Sequence, residues 1–208
     1  MRIDIWSDVA CPWCYIGRRR LDRAVAAYGE PVDVVLHAFQ LDPDAPGDAV
    51  PLNEHLATQF GDHVPALQQQ VTEVAAAEGL EFHLDRALSV NTRHAHRLLV
   101  LARHEGVQAE VAERLMRAYF TEGRNVGDLF TLAEIGVESG LDGDRVRHWL
   151  AGDHGQEEVE EELATARDIG ITAVPTFVVD RKYAVRGAQD PATLLRVLEQ
   201  VSRERRAS

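Results

Sequence analysis

The sequence predicts an α/β fold in which two short units of strands and helices flank a long helical block. Three observations predict it. Residues 3–39 show the pattern of a strand, a helix and a strand, residues 51–155 carry helical periodicity without a strand pattern, and residues 175–201 show two strands and a helix. The predicted order is therefore βαβ, a helical block, a further helix and ββα, within a chain of 208 residues.

The first unit begins with a short strand over residues 3–6 and continues with a helix over residues 17–28, where apolar side chains recur at helical spacing. Pro31 interrupts this pattern, and the apolar run 32–39 predicts a buried strand. Because the connection is short and crossovers are right-handed, we predict that the two strands are parallel neighbours.

Proline and glycine residues between positions 41 and 48 end regular structure and mark a boundary. The amphipathic helical patterns that follow run to about residue 155. Candidate helix caps within them are Asn91 or Thr92 and Asp128. We therefore predict a discontinuous domain of residues 1–45 and 156–208, with an inserted helical domain of residues 46–155.

The last unit begins at Pro175, with a predicted strand over residues 175–180. Arg181-Lys182 is the predicted two-residue turn, and residues 183–187 form the second strand of an antiparallel hairpin. Asp190 is expected to cap a final helix that has Pro191 at its first position.

Both cysteines of the chain lie between the first strand and the first helix, as Cys11-Pro12-Trp13-Cys14. A thiol at a helix N-terminus faces unpaired backbone N–H groups and the positive end of the helix dipole, which favour thiolate over thiol. Cys11 is therefore the candidate nucleophile, and Cys14, one turn inside the helix, is the candidate resolving cysteine.

Two other uses of this pair stay open at this point. A structural disulfide would stabilise little, because the loop between Cys11 and Cys14 is very short. A C-x-x-C pair is also the first half of many zinc sites, but no second half follows, and the nine histidines lack ligand spacing. The strand-to-helix setting favours a redox dithiol, and the sequence predicts no metal site.

The formal net charge of −12 argues against nucleic acid or an anionic membrane surface as a partner, since both attract clustered Lys and Arg. The first residues enter the predicted strand without a signal-peptide core, and no apolar run reaches membrane-spanning length. We therefore expect a cytoplasmic protein. In that compartment thiols are kept reduced, so a cysteine pair is more often catalytic than structural.

A βαβ unit with C-x-x-C at its helix start, joined to a ββα unit with a proline opening its first strand, resembles the thioredoxin fold. The helical insertion makes the chain similar to the DsbA family, and further residues resemble its FrnE-like branch of cytoplasmic dithiol oxidoreductases. The residues that carry the resemblance are Ser7-Asp8, Cys11–Tyr15, Asn91-Thr92, Ala95-His96 and Val174-Pro175.

The resemblance implies a thiol-disulfide oxidoreductase of the protein disulfide isomerase or reductase type, which works through a mixed disulfide on a thiol- or disulfide-containing protein or small molecule. It implies that Pro175 is a cis-proline facing the cysteines, and that Val174 offers free backbone groups to an extended substrate. Pro12 would shape the helix start. Trp13 is neutral and is either a packing aromatic or an apolar contact for substrate.

The same branch also resembles glutathione-using 2-hydroxychromene-2-carboxylate isomerases and kappa-class glutathione transferases, which work with one nucleophile at the position of Cys11. This similarity implies a second hypothesis, an isomerase or transferase that uses glutathione as co-substrate, with no tightly bound cofactor. A non-catalytic binding module is the third.

Overall fold

The computed structural model describes residues 1–207. Its strands are β1 (Arg2–Ser7), β2 (Asp33–Ala38), β3 (Val50–Pro51), β4 (Leu88–Ser89), β5 (Thr176–Val179) and β6 (Tyr183–Arg186). One sheet has the order β2-β1-β5-β6, and β3 pairs with β4 separately. β1 is parallel to β2 and antiparallel to β5, and β5 and β6 form an antiparallel hairpin. The two ends of the chain thus share one sheet, and the predicted fold class is confirmed.

Within residues 1–207 the helices number nine, plus a 3₁₀ turn over Gly61–His63. They are α1 (Pro12–Tyr28), α2 (Leu52–Phe60), α3 (Val64–Ala77), α4 (Arg93–His104), α5 (Gln108–Phe120), α6 (Leu129–Glu138), α7 (Gly143–Ala151), α8 (Gln156–Asp168) and α9 (Pro191–Ala207). Two predicted caps are confirmed. The Asp128 carboxylate accepts a hydrogen bond from the Thr131 N–H at 2.7 Å, and the Asp190 carboxylate accepts one from the Thr193 N–H at 2.9 Å.

Three local expectations were wrong. The helical block contains the two-residue ribbon of β3 and β4, which is too short to leave a strand pattern. β5 begins at Thr176 and not at Pro175. The hairpin turn is centred on Asp180 and Arg181, one residue earlier than predicted, because both have positive φ and the Lys182 N–H donates to the Val179 carbonyl. Positive φ at two successive turn residues suits the twist of the flanking strands.

The two faces of the sheet have different neighbours. Alternate side chains of β1 and β5 point toward α1 and α9, where they form an apolar cluster. Its buried members include Ile3, Ile5, Leu21, Phe177, Val179 and Leu198. On the opposite face Trp6 packs against Ala166 of α8 and Ile171.

The largest apolar cluster lies in the helical block and reaches the start of α1. Buried residues of α3 to α7 contribute most of it, and Cys11, Cys14, Tyr15 and Ile16 belong to the same cluster. The first turn of α1 is therefore packed into the helices between β2 and β5. The division into domains of residues 1–45 with 156–208 and residues 46–155 stays a prediction.

Charged side chains hold α8 on the sheet. Glu162 accepts a hydrogen bond from the Ala38 N–H at 2.7 Å, lies 3.2 Å from Nδ1 of His37, and is paired with Arg103 of α4. Nε2 of His37 in turn lies 2.8 Å from the Asp4 carboxylate. Burial acts to raise the pKa of Glu162, but these three partners outweigh it and lower the pKa to about 2.

Replacing Glu162 with glutamine should lower the free energy of unfolding at neutral pH by roughly 3 kcal/mol, the equivalent of its pKa shift. The folded-state pKa lies below the ordinary value of 4.5, so this stabilisation is present above that pH and is lost as the pH falls toward 2. Urea denaturation of both proteins at neutral pH and at about pH 3 measures the difference.

Glu161→Gln is the matched control, because Glu161 is an exposed neighbour on the same helix. Its effect should stay within about 0.5 kcal/mol. A Glu162→Gln deficit that is equally large at both pH values would contradict the assigned role of the carboxylate.

Candidate active site

Cys11 is the N-cap residue of α1, with an extended backbone conformation of φ −90° and ψ 114°. Its N–H donates to the Asp8 carbonyl at 3.1 Å, and its carbonyl accepts from the Cys14 N–H at 3.0 Å. Pro12 follows at the first helical position, where a missing N–H costs nothing. No side chain among residues 1–207 caps this end of the helix. The Cys11 side chain therefore lies at the N-terminus of α1, next to the first turn of the helix.

The two thiols are free, and both are buried, with each cysteine 2% exposed. Burial raises the pKa of the Cys14 thiol well above its ordinary value, and contact with Cys11 raises it further. The Ser7 side chain and the Asp8 backbone act in the opposite direction and are outweighed. Cys14 is accordingly held as a thiol against the Cys11 sulfur. Exposure does not distinguish the two cysteines; their positions at the helix start do.

The loop before β5 supplies the opposite wall of the site. The Val174–Pro175 peptide bond is cis, as predicted, and the Cys11 thiol points at the Val174 carbonyl, at a sulfur-to-oxygen distance of 3.9 Å. The Pro175 carbonyl accepts from the Gly187 N–H at 2.8 Å. Within residues 1–207 the Val174 backbone takes part in no strand pairing.

Gly17 allows this loop to approach α1. A Cβ atom at Gly17 would lie 2.9 Å from Cγ of Pro175 and 3.2 Å from Cζ of Phe177, both closer than carbon atoms normally pack. The helix that carries the cysteines is thus in direct contact with Pro175. A side chain at position 17 would push the loop away from the dithiol.

Of the two residues between the cysteines, Pro12 is half-buried, whereas Trp13 is 39% exposed. An indole that is more than a third exposed on the active-site turn offers an apolar surface to an incoming chain. Trp13 is therefore not a buried packing aromatic.

Two markers of the resemblance meet beside the dithiol. Asp8 is buried, accepts a hydrogen bond from the Leu41 N–H at 2.8 Å, and lies 3.4 Å from Nε2 of the buried His96. Asn91, another residue of the resemblance, accepts a hydrogen bond from the Gln40 side chain at 3.0 Å. This bond joins the segment before α4 to the segment after β2. Neither Asp8 nor His96 had a role predicted from the sequence, where the one available signal was an acidic residue three positions before Cys11.

Groups of three or more His, Cys, Asp or Glu side chains placed to hold a metal ion do not occur in the described part of the chain. Nor does any helix of residues 1–207 have the length and apolar character needed to cross a membrane.

Gly17→Ala should displace the loop that carries Pro175 from the dithiol. Overpacking against Pro175 and Phe177 costs about 1–3 kcal/mol, and the better helix propensity of alanine offsets about 1 kcal/mol of it. We expect a lower free energy of unfolding and slower reaction of the dithiol with a model disulfide, measured by denaturation and stopped-flow fluorescence. Gly47→Ala, where a Cβ meets open space, is the control. A Gly17→Ala protein as stable and as reactive as wild type would contradict the close contact.

Comparison with known proteins places this chain in a family. The chain aligns with a probable DsbA oxidoreductase from Streptomyces coelicolor at 36% identity, over 96% of this chain and 89% of that one, with a TM-score of 0.90. It shares its fold with a 2-hydroxychromene-2-carboxylate isomerase (19% identity, coverage 100% and 98%, TM-score 0.76). The cytosolic disulfide reductase DsbM from Pseudomonas aeruginosa, solved with glutathione, also has this fold (21%, coverage 98% and 100%, TM-score 0.70). The family model for the DSBA-like thioredoxin domain matches residues 2–199, and the chain therefore belongs to the DsbA-like thioredoxin domain family of thiol oxidoreductases.

Proposed function

We propose that this protein is a cytoplasmic thiol-disulfide oxidoreductase in which Cys11 is the nucleophile and Cys14 the resolving cysteine. One observation carries the proposal. Two neighbouring thiols lie at the start of α1, and the Cys11 thiol faces the Val174 carbonyl beside Pro175. The cytosolic naming of DsbM, which has the same fold, supports the cytoplasmic assignment. The client is a disulfide- or thiol-containing protein or small molecule.

In the reducing direction, the Cys11 thiolate attacks one sulfur of the client disulfide, and the other client sulfur leaves as a thiolate. The mixed disulfide then holds the client on Cys11. Cys14 passes its proton to the client thiolate released in the first step and attacks the Cys11 sulfur, so that the second client sulfur leaves as a thiolate. That sulfur takes from solvent the proton that Cys11 gave to solvent when its thiolate formed. The client leaves as a dithiol, and the protein keeps a Cys11–Cys14 disulfide. In total two electrons and two protons pass to the client, and the oxidising direction is the reverse.

Geometry suggests roles for the residues around the thiols. The backbone of Val174, which takes part in no strand pairing within residues 1–207, can hydrogen-bond an extended client segment as an added strand, while Pro175, which has no N–H, keeps the protein from closing this edge itself. Pro12 keeps the helix start in shape, and the exposed face of Trp13 contacts the client.

A glutathione-dependent isomerase or transferase is the second candidate. It is favoured by the fold shared with 2-hydroxychromene-2-carboxylate isomerase and with DsbM, whose structure was solved with glutathione. In that case Cys11 would act alone, and glutathione would be a co-substrate that is not bound tightly.

The first test is an insulin-reduction assay with single-cysteine variants. Wild type should reduce insulin, and Cys11→Ser should be inactive because it lacks the nucleophile. Cys14→Ser should form the mixed disulfide without resolving it, so a client accumulates on Cys11 as a thiol-sensitive gel band. Inactive wild type, or trapping on Cys14 in place of Cys11, would overturn the assignment.

A glutathione titration separates the two candidates. If the protein is a dithiol oxidoreductase, Cys14→Ser should lose steady-state disulfide reduction when glutathione is the only other thiol present, because the mixed disulfide accumulates. If glutathione is the co-substrate, the variant should retain turnover that saturates with glutathione concentration. Full glutathione-dependent turnover by Cys14→Ser would show that Cys14 is not needed to resolve the mixed disulfide and would favour the second candidate.

A further inference from the structure

A small cavity lies beside the dithiol turn, on the side of the helical block. Its volume is about 310 Å³, near the lower end of the range for ligand pockets, so it admits a side chain but not a folded client. Ala10, the residue directly before Cys11, forms part of its wall. A group bound there is therefore close to the reacting sulfur.

The cavity has an apolar wall and a polar floor. Leu41 and Phe60, each about half exposed, form part of the wall. Asp8, Thr92 and Tyr119 form the floor, and they are 2%, 3% and 2% exposed. Such an arrangement suits a guest with an apolar stem and a polar tip.

Two of the floor hydroxyls are left without a protein partner. Among residues 1–207, neither the Tyr119 nor the Thr92 side chain makes a hydrogen bond, although both residues are almost fully buried. Buried hydroxyls normally have a partner, so these two are available to a ligand. Burial, with the Asp8 charge as a second cause, raises the pKa of Tyr119, which keeps its phenol neutral.

Asp8 supplies the charge at the floor of the cavity. One carboxylate oxygen accepts from the Leu41 N–H at 2.8 Å, and the other lies 3.4 Å from both the Ala10 N–H and Nε2 of His96. Asp42 adds a second carboxylate at the rim, where His55 is its partner at 2.9 Å. The polar end of the cavity thus offers acceptors and neutral hydroxyls.

We propose that this cavity binds a basic side chain, lysine or arginine, that lies next to the reacting cysteine of the client. An ammonium or guanidinium group donates to Asp8 and to the oxygens of Thr92 and Tyr119, while its methylene stem packs on Leu41 and Phe60. A client carboxylate would face Asp8 and Asp42 and be repelled. The proposal deepens the proposed function, since it assigns a substrate class to the same dithiol.

The test uses disulfide-bonded synthetic peptides that differ only in the residue beside the attacked cysteine, which is lysine, norleucine or glutamate. The second-order rate constant for oxidation of the reduced protein should be about tenfold higher for lysine than for norleucine, equivalent to about 1.4 kcal/mol. Glutamate should be slower than norleucine. Equal rates for the three peptides would overturn the proposal.

Substitutions in the cavity test whether the preference for the lysine peptide arises there. Asp8→Asn keeps an oxygen for the Leu41 N–H but removes the charge, and Tyr119→Phe removes only the hydroxyl; both should shrink the lysine preference. Tyr28→Phe, which removes a half-buried phenol at the far end of α1, should leave it unchanged. A full lysine preference in both cavity variants would contradict the assignment.

Peptide binding can also be measured without turnover. Calorimetry on Cys11→Ser protein, with linear peptides that carry serine in place of cysteine, should show tighter binding of the lysine peptide than of the norleucine peptide. If no peptide disulfide is reduced but this preference is found, the proposed function fails and the cation subsite stands. If disulfides are reduced and no preference is found in either assay, the subsite fails alone.

Discussion

The register between β1 and β5 determines which residues face the dithiol. Trp6 is paired with Thr176 and Ile5 with Phe177, so the chain before Thr176 runs alongside the turn that leads from β1 to Cys11. A slip of one residue would turn Phe177 and its neighbours to the other face of the sheet and carry Val174 away from the Cys11 sulfur. Apolar burial of Ile5 and Phe177 against α1 and α9 makes such a slip costly.

Burial of the dithiol bears directly on its chemistry. Removal of water disfavours a thiolate, and at Cys14 this effect dominates and keeps the proton on sulfur. Cys11 is buried to the same degree but is the N-cap residue of α1. In the proposed reaction, Cys14 therefore has to lose its proton before it attacks the mixed disulfide.

The helical block makes direct contacts with the turn that carries the cysteines. Its largest apolar cluster includes the start of α1, and the Asp8–His96 contact joins the active-site turn to α4. On the other side, α8 is bound to β1 and β2 through Glu162 and His37. Helices that pack against the start of α1 also line the neighbouring cavity.

Local patterns in the sequence were sufficient to predict the order of the elements other than β3 and β4, the position of Cys11 at a helix start, and the caps Asp128 and Asp190, because each depends on residues within one or two turns. The hairpin turn was misplaced by one residue, since Asp180 and Arg181 lack the glycine that marks positive φ in a sequence. The contact of Gly17 with Pro175 and the meeting of Asp8 with Tyr119 join residues that are distant in the chain. Only the folded chain decides such contacts, because they arise from packing between whole elements and leave no periodic signal in the sequence.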